Sequence, residues 1–146
     1  MPLNRKYNGL TILGKSRTVL PQSPESAKLE VFSNAYGRSG YRVIFDCPEF
    51  TALCPITGQP DFGRITIEYI PNRVCIESKS LKLYLFSFRN SGIFHEEVVN
   101  RILADVVRAA RPRSATVTGE FKPRGGIAIK VEASYRNKKI QFDTSS

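Results

Sequence analysis

IFHEEVVNRILADVVRAA, residues 93–110, repeats its apolar positions at helical spacing. Val98, Val99, Ile102, Leu103, Val106, Val107 and Ala110 form one stripe, and Glu97, Arg101, Asp105 and Arg108 take the opposite face. SGIF ahead of the segment and RPR behind it are start and stop signals. This helix sets the plan of the domain, because the chain on either side of it changes period. Downstream, SATVTGEF (114–121) and GIAIKVEASY (126–135) read as strands joined by the turn KPRGG (122–126). Upstream, YRVIFD (41–46) sets Tyr41, Val43 and Phe45 against Arg42, Ile44 and Asp46, and RITIEYI (64–70) sets Ile65, Ile67 and Tyr69 against Thr66 and Glu68. SLKLYLFSFRN (80–90) is apolar on nearly every side, so periodicity alone does not separate a buried helix from a strand; it is read as a helix.

The resulting order, β-β-α-α-β-β, predicts an α+β domain with an antiparallel sheet and two helices on one of its faces. Residues 1–40, rich in Pro, Gly, Ser and Asn with short apolar patches such as LEVF, are expected to form an irregular N-terminal arm. A chain of 146 residues suits a single domain able to fold without disulfides. Four strands leave two exposed edges, and apolar Ile44 on the far face adds to the surface needing cover, so a homo-oligomer is expected.

Composition narrows the function classes. No apolar run approaches the length of a membrane span, and no segment after the basic N-terminus suits a secretory signal, so the expected compartment is cytoplasmic. Three cysteines, an odd count, argue against a disulfide framework. One histidine and no CxxC leave no zinc set. A net charge of +9 points to an anionic partner, either a phosphorylated small molecule or nucleic acid, but there is no basic helical stripe or Arg/Gly/aromatic signature. Neither a Rossmann glycine fingerprint nor a P-loop is present.

The chemistry-bearing stretch is CPEFTALCPITGQPDF, residues 47–62. Pro48 can open and Pro55 close a helical turn, so PEFTALC is read as one short turn with Cys47 at its N-terminal end and Cys54 at its C-terminal end. The helix dipole then favours Cys47 as the thiolate, although Cys47 continues a strand, where cysteine usually behaves as a small hydrophobe. Cys54 has a different recommendation: Thr57, Gly58 and Pro60 can turn the chain so that Asp61 returns toward the thiol. Cys75, inside the strand RVCIES, reads as structural. Glu77, Lys79 and Lys82 stand out in an apolar passage, where a strand end, a helix cap and snorkelling lysines would explain them. His95 and Glu96 occupy the first turn of the long helix, where a carboxylate is favoured by the dipole alone. In FKPRGG, Arg124 and Gly125 could approach a phosphate, or form an ordinary hairpin turn.

Taken in order and spacing, FDCPEFTALCPITGQPDF, ESKSLKLYLFSFRN, FHEE and FKPRGG resemble the short-form nitrile reductases of queuosine biosynthesis, the NADPH-dependent 7-cyano-7-deazaguanine reductases of the tunnelling (T-fold) class. The resemblance covers about residues 30–132 and implies NADPH as cofactor and 7-cyano-7-deazaguanine as substrate. It implies Cys54 as the nucleophile that forms a thioimidate and Asp61 as the general acid. Ile76, Glu77, Ser78, His95 and Glu96 would hold the base, and Ser78, Lys79, Arg124 and Gly125 the cofactor. It further implies sheets joined between subunits, with sites at the interfaces and no direct nucleic-acid or membrane partner. A T-fold enzyme acting on another purine or pterin, or a basic RNA-binding module, are the alternatives.

Overall fold

The computed structural model describes residues 9–11 and 19–139. β2 (Val43–Leu53) and β3 (Pro60–Ile70) form an antiparallel hairpin, followed by β4 (Val74–Ile76), α1 (Ser78–Phe86), a 3-10 turn over Ser87–Asn90 and α2 (His95–Ala110). β5 (Ser114–Arg124) and β6 (Ile127–Arg136) complete a four-stranded sheet of order β2-β3-β5-β6, antiparallel throughout. The short strand β1 (Val31–Ser33) pairs with β4 in a separate two-stranded sheet.

One face of the large sheet is apolar because its strands alternate in phase with one another. Ile65, Ile67 and Tyr69 of β3 and Ala115 and Val117 of β5 point inward and are buried. They meet Val98, Val99, Ile102 and Val106, the stripe read from the sequence, and α2 packs across β5 and β6 while α1 and its 3-10 turn lean on β2. Each such aliphatic side chain contributes about 1.5–3 kcal/mol on burial. The far face is polar, with Arg64 bridging to Asp46 at 2.7 Å and Arg42 to Glu68. Ile44 and Phe62 are exposed apolar side chains.

Three local expectations need correction. PEFTALC is not a helical turn; Pro48 to Leu53 belong to β2. Between the pairs Cys47↔Ile65 and Phe50↔Gly63, three steps of β2 oppose two of β3, a bulge centred on Pro48, which has no N–H to give to the ladder. The arm is not irregular over its whole described length, since Val31–Ser33, which begins within LEVF, finds a partner in β4. KPRGG is mostly strand: Lys122, Pro123 and Arg124 extend β5, and Gly125 and Gly126, at φ of 58° and 80°, make the turn. A second bulge lies between Phe121↔Ile129 and Arg124↔Ile127, again over a proline, Pro123. The rest of the arm, residues 1–8 and 12–18, and the tail from 140 lie outside the described residues.

Candidate active site

The two bulges have the same consequence. Before the first, the inward positions of β2 are Val43, Phe45 and Cys47; after it they are Phe50 and Ala52. The extra residue reverses the phase, so that Cys54, next in the new series, falls on the inward face. Ala52 stands opposite Asp61 in the ladder, which makes Cys54 its diagonal neighbour, about 7–8 Å away by strand geometry. Asp61 itself begins the inward row of β3 that continues through Ile65 and Ile67, and it is 8% exposed. The second bulge turns Arg124 the same way. Arg124 Nε lies 2.8 Å from Asp61 Oδ1, and its Nη2 donates to the Pro60 carbonyl at 2.8 Å.

The chain after Cys54 folds into a tight turn, in which Gly58 N–H donates to the Cys54 carbonyl and Cys54 N–H to the Gln59 carbonyl. Gly58 has φ 72°, the left-handed conformation that glycine adopts at little cost. With no helical turn over PEFTALC, the dipole argument for Cys47 lapses, and the turn that does form acts on Cys54. The Cys54 thiol is drawn below its ordinary range first by the Thr57 hydroxyl, then by the backbone N–H groups of Thr57 and Ile56, with the charge of Arg124 adding to them. Cys47 moves the other way, raised by burial and by Asp46. It lines a groove of about 600 Å³ with Phe45, Phe50, Leu81 and Phe86, and neither Cys54 nor Asp61 borders that groove. Cys75 is buried, with its sulfur 3.2 Å from the Tyr41 hydroxyl.

The start of α2 is docked against the same strand end. Leu53 N–H donates to the Ser91 carbonyl and Ile93 N–H to the Leu53 carbonyl, both at 3.0 Å. Gly92 allows this approach, since a Cβ there would lie 3.3 Å from Pro55 Cα. His95 is thereby carried to Asp61, with Nε2 3.4 Å from Oδ2 but not aligned for a hydrogen bond. Its ring lies flat on Phe121, with centroids 3.9 Å apart and planes 2° from parallel. Glu96, one residue on, is exposed.

Cys54, Asp61, His95 and Arg124 are thus brought together, with Gly125 in the adjoining turn. Ile76, Glu77, Ser78 and Lys79 are not among them. Ile76 N–H donates to the Tyr69 hydroxyl at 2.9 Å, and the eight residue steps of β3 from Asp61 to Tyr69 span about 26 Å. A tyrosine side chain recovers only a fraction of that, so the two groups lie well apart within one chain. The Glu77 carboxylate caps α1, accepting from Lys79 N–H at 2.7 Å and Ser80 N–H at 2.8 Å, while Ser78 is exposed. Sequence reasoning passed over two contributors. Thr57 had a signal, a hydroxyl three residues after a cysteine within a turn; Phe121 had only the inward phase of β5.

Among the described residues no cluster of three or more His, Cys, Asp or Glu is placed to hold a metal ion, and no helix is long and apolar enough to cross a membrane. The arrangement suits covalent chemistry: a thiol whose ionisation the turn favours, a shielded carboxyl group beside it and a cationic rim.

Several known proteins are similar to this chain. The family model described as QueF-like protein matches residues 60–140. A protein of Neisseria meningitidis serogroup B named NADPH-dependent 7-cyano-7-deazaguanine reductase is 50% identical over 141 residues, which are 97% of this chain and 90% of that protein. One of the same name from Streptococcus thermophilus is 48% identical over 145 residues, 98% of this chain and 88% of its own length. Among solved structures, the archaeosine synthase QueF-Like in its apo form superposes with a TM-score of 0.57 at 26% identity, over 64% of this chain and 90% of that one. The α+β architecture is that of the T-fold. On these grounds the chain belongs to the family of NADPH-dependent 7-cyano-7-deazaguanine reductases.

Proposed function

We propose that this protein reduces the nitrile of 7-cyano-7-deazaguanine to the aminomethyl group, a step of queuosine biosynthesis, with Cys54 as nucleophile and Asp61 as general acid. The observation that carries the assignment of roles is the pairing of a thiol lowered by its own turn with a buried carboxyl group one diagonal step away. The Cys54 thiolate adds to the nitrile carbon, one π bond of the C≡N group breaks, and Asp61 delivers a proton to the nitrogen, leaving a thioimidate. NADPH, when bound, supplies two hydrides in succession. After the first, the tetrahedral carbon expels the thiolate, and the Thr57 hydroxyl with the N–H groups of Ile56 and Thr57 receives its charge.

The remaining residues sort by what they can hold. Glu96 at the start of α2 accepts the adjacent N–H donors of a guanine-like edge, and the His95 ring on Phe121 walls the site beside Asp61. Arg124 and the Gly125 backbone, at a turn flanked by Lys122, present donors that fit a cofactor phosphate. Ile76, Ser78 and Lys79, distant in the single chain, reach the site from a neighbouring subunit. Glu77 then acts by fixing that junction through its cap. β2 and β6 each have one edge without a strand partner among the described residues, which suits sheets continued between copies in a homo-oligomer. A reactive free thiol and NADPH suit a reducing, cytoplasmic compartment.

The test is stoichiometric. Purified protein with 7-cyano-7-deazaguanine should lose two equivalents of nicotinamide absorbance per nitrile consumed, and no loss would refute the activity. Cys54→Ala should abolish both turnover and the covalent adduct seen by intact mass, whereas Cys47→Ala and Cys75→Ala keep both. An adduct persisting in Cys54→Ala would remove the nucleophile assignment.

A further inference from the structure

We propose that Arg124 is a positioning residue for Asp61, a role that rests on the reading of Asp61 as the acid and is separate from any contact with the cofactor. The last backbone pair between β3 and β5 is Gly63↔Phe121, so beyond it the two strands have no ladder to hold them. Arg124 replaces that ladder with its side chain, reaching the Pro60 carbonyl through Nη2 and Asp61 Oδ1 through Nε, both at 2.8 Å. One planar guanidinium therefore fixes a main-chain atom and the neighbouring carboxyl group at once.

The consequence is a choice between the two oxygens of Asp61. With Oδ1 held by Arg124, Oδ2 is the oxygen left to carry the transferable proton, and it faces His95 Nε2 at 3.4 Å. Without the guanidinium, the carboxyl group can rotate about its terminal torsion, which has a broad profile. A pair whose cation is 37% exposed contributes little to stability, so its effect should fall on the chemistry. That effect belongs to the first step, in which thiolate addition and protonation of the nitrile nitrogen need no reductant.

The experiment measures adduct formation on the full-length protein with 7-cyano-7-deazaguanine and no NADPH, followed by intact mass, so that loss of a cofactor contact does not register. Arg124→Met should slow adduct formation about tenfold or more, part of the 10²–10⁴ that a positioned acid supplies. Arg124→Lys, which keeps the charge but not the planar fork, should recover only part of that loss and guards against a folding defect. In the Asp61→Asn background, measured at a pH high enough to ionise Cys54 in every variant so that the charge of Arg124 on the thiol does not register, Arg124→Met should change the rate less than about twofold, because the group it positions is gone. A native rate for Arg124→Met, or the same loss in both backgrounds, overturns the proposal while leaving Asp61 as the acid. A native rate for Asp61→Asn alone removes the acid assignment, and the proposal with it.

Discussion

Gly119→Ala tests how tightly the core and the site are joined. A Cβ at Gly119 would lie 2.7 Å from both Phe121 Cε2 and Val99 Cγ2, where ordinary carbon contacts sit at about 3.5–4.0 Å. Val99 is fully buried on α2 and Phe121 is 5% exposed, so neither has open space to retreat into. The added methyl must therefore displace one of them by about 1 Å, the kind of overpacking that costs about 1–3 kcal/mol. For a chain of this size that is a fall in melting temperature of about 3–9 °C. Phe121 is also the ring on which His95 lies, so a displaced ring moves the imidazole relative to Asp61. Gly119→Ala should consequently lose turnover beyond what its remaining folded fraction explains. Thermal denaturation and NADPH oxidation at 25 °C measure the two effects, and Val99→Ala combined with Gly119→Ala should restore part of the stability by vacating one contact. A melting temperature within 1 °C of native, or full activity in a clearly destabilised variant, would refute the reasoning.

Thr57→Val removes the hydroxyl that does most to lower the Cys54 thiol. Because thiolate fraction rises with pH through the thiol pKa, the alkylation rate of Cys54 by iodoacetamide should reach its half-maximum at a higher pH in the variant. An unchanged profile would assign the effect to the turn's N–H groups alone. Cys54→Ala and Ser78→Trp should each be inactive, but refolding the two together in equal amounts should restore about a quarter of native activity, the share of all sites that pair an intact Cys54 with an intact Ser78. No recovery in verified mixed oligomers would place both groups in one chain. Glu77→Ala leaves the first N–H groups of α1 without their acceptor and should cost about 1–2 kcal/mol by denaturant titration; a native midpoint would show that the cap does not hold the junction.

The long helix was legible because α2 exposes one face to water, which forces its apolar residues into a stripe. RITIEYI was legible for the corresponding reason at period two, and Thr57-Gly58 announced the turn that returns Asp61. LEVF was not, because a three-residue strand exists only through its partner β4, more than forty residues away. PEFTALC was misread because prolines at both ends of a short segment suit a helical turn as well as a bulge, and only pairing with β3 distinguishes them.

The site divides along the same line. Residue identities and their order along the chain, with the local turn chemistry after Cys54, belong to the sequence, and with them came the family resemblance. Which side chains face one another was settled in three dimensions. Two proline bulges reverse the phase of β2 and β5 at the same end of the sheet, so Cys54 and Arg124 turn in toward Asp61. Helix-end electrostatics applied to the wrong turn favoured Cys47, whereas the folded chain sets Cys54 against the N–H groups of the turn that follows it. A bulge is a property of two paired strands, and the phase it sets cannot be read from either strand alone.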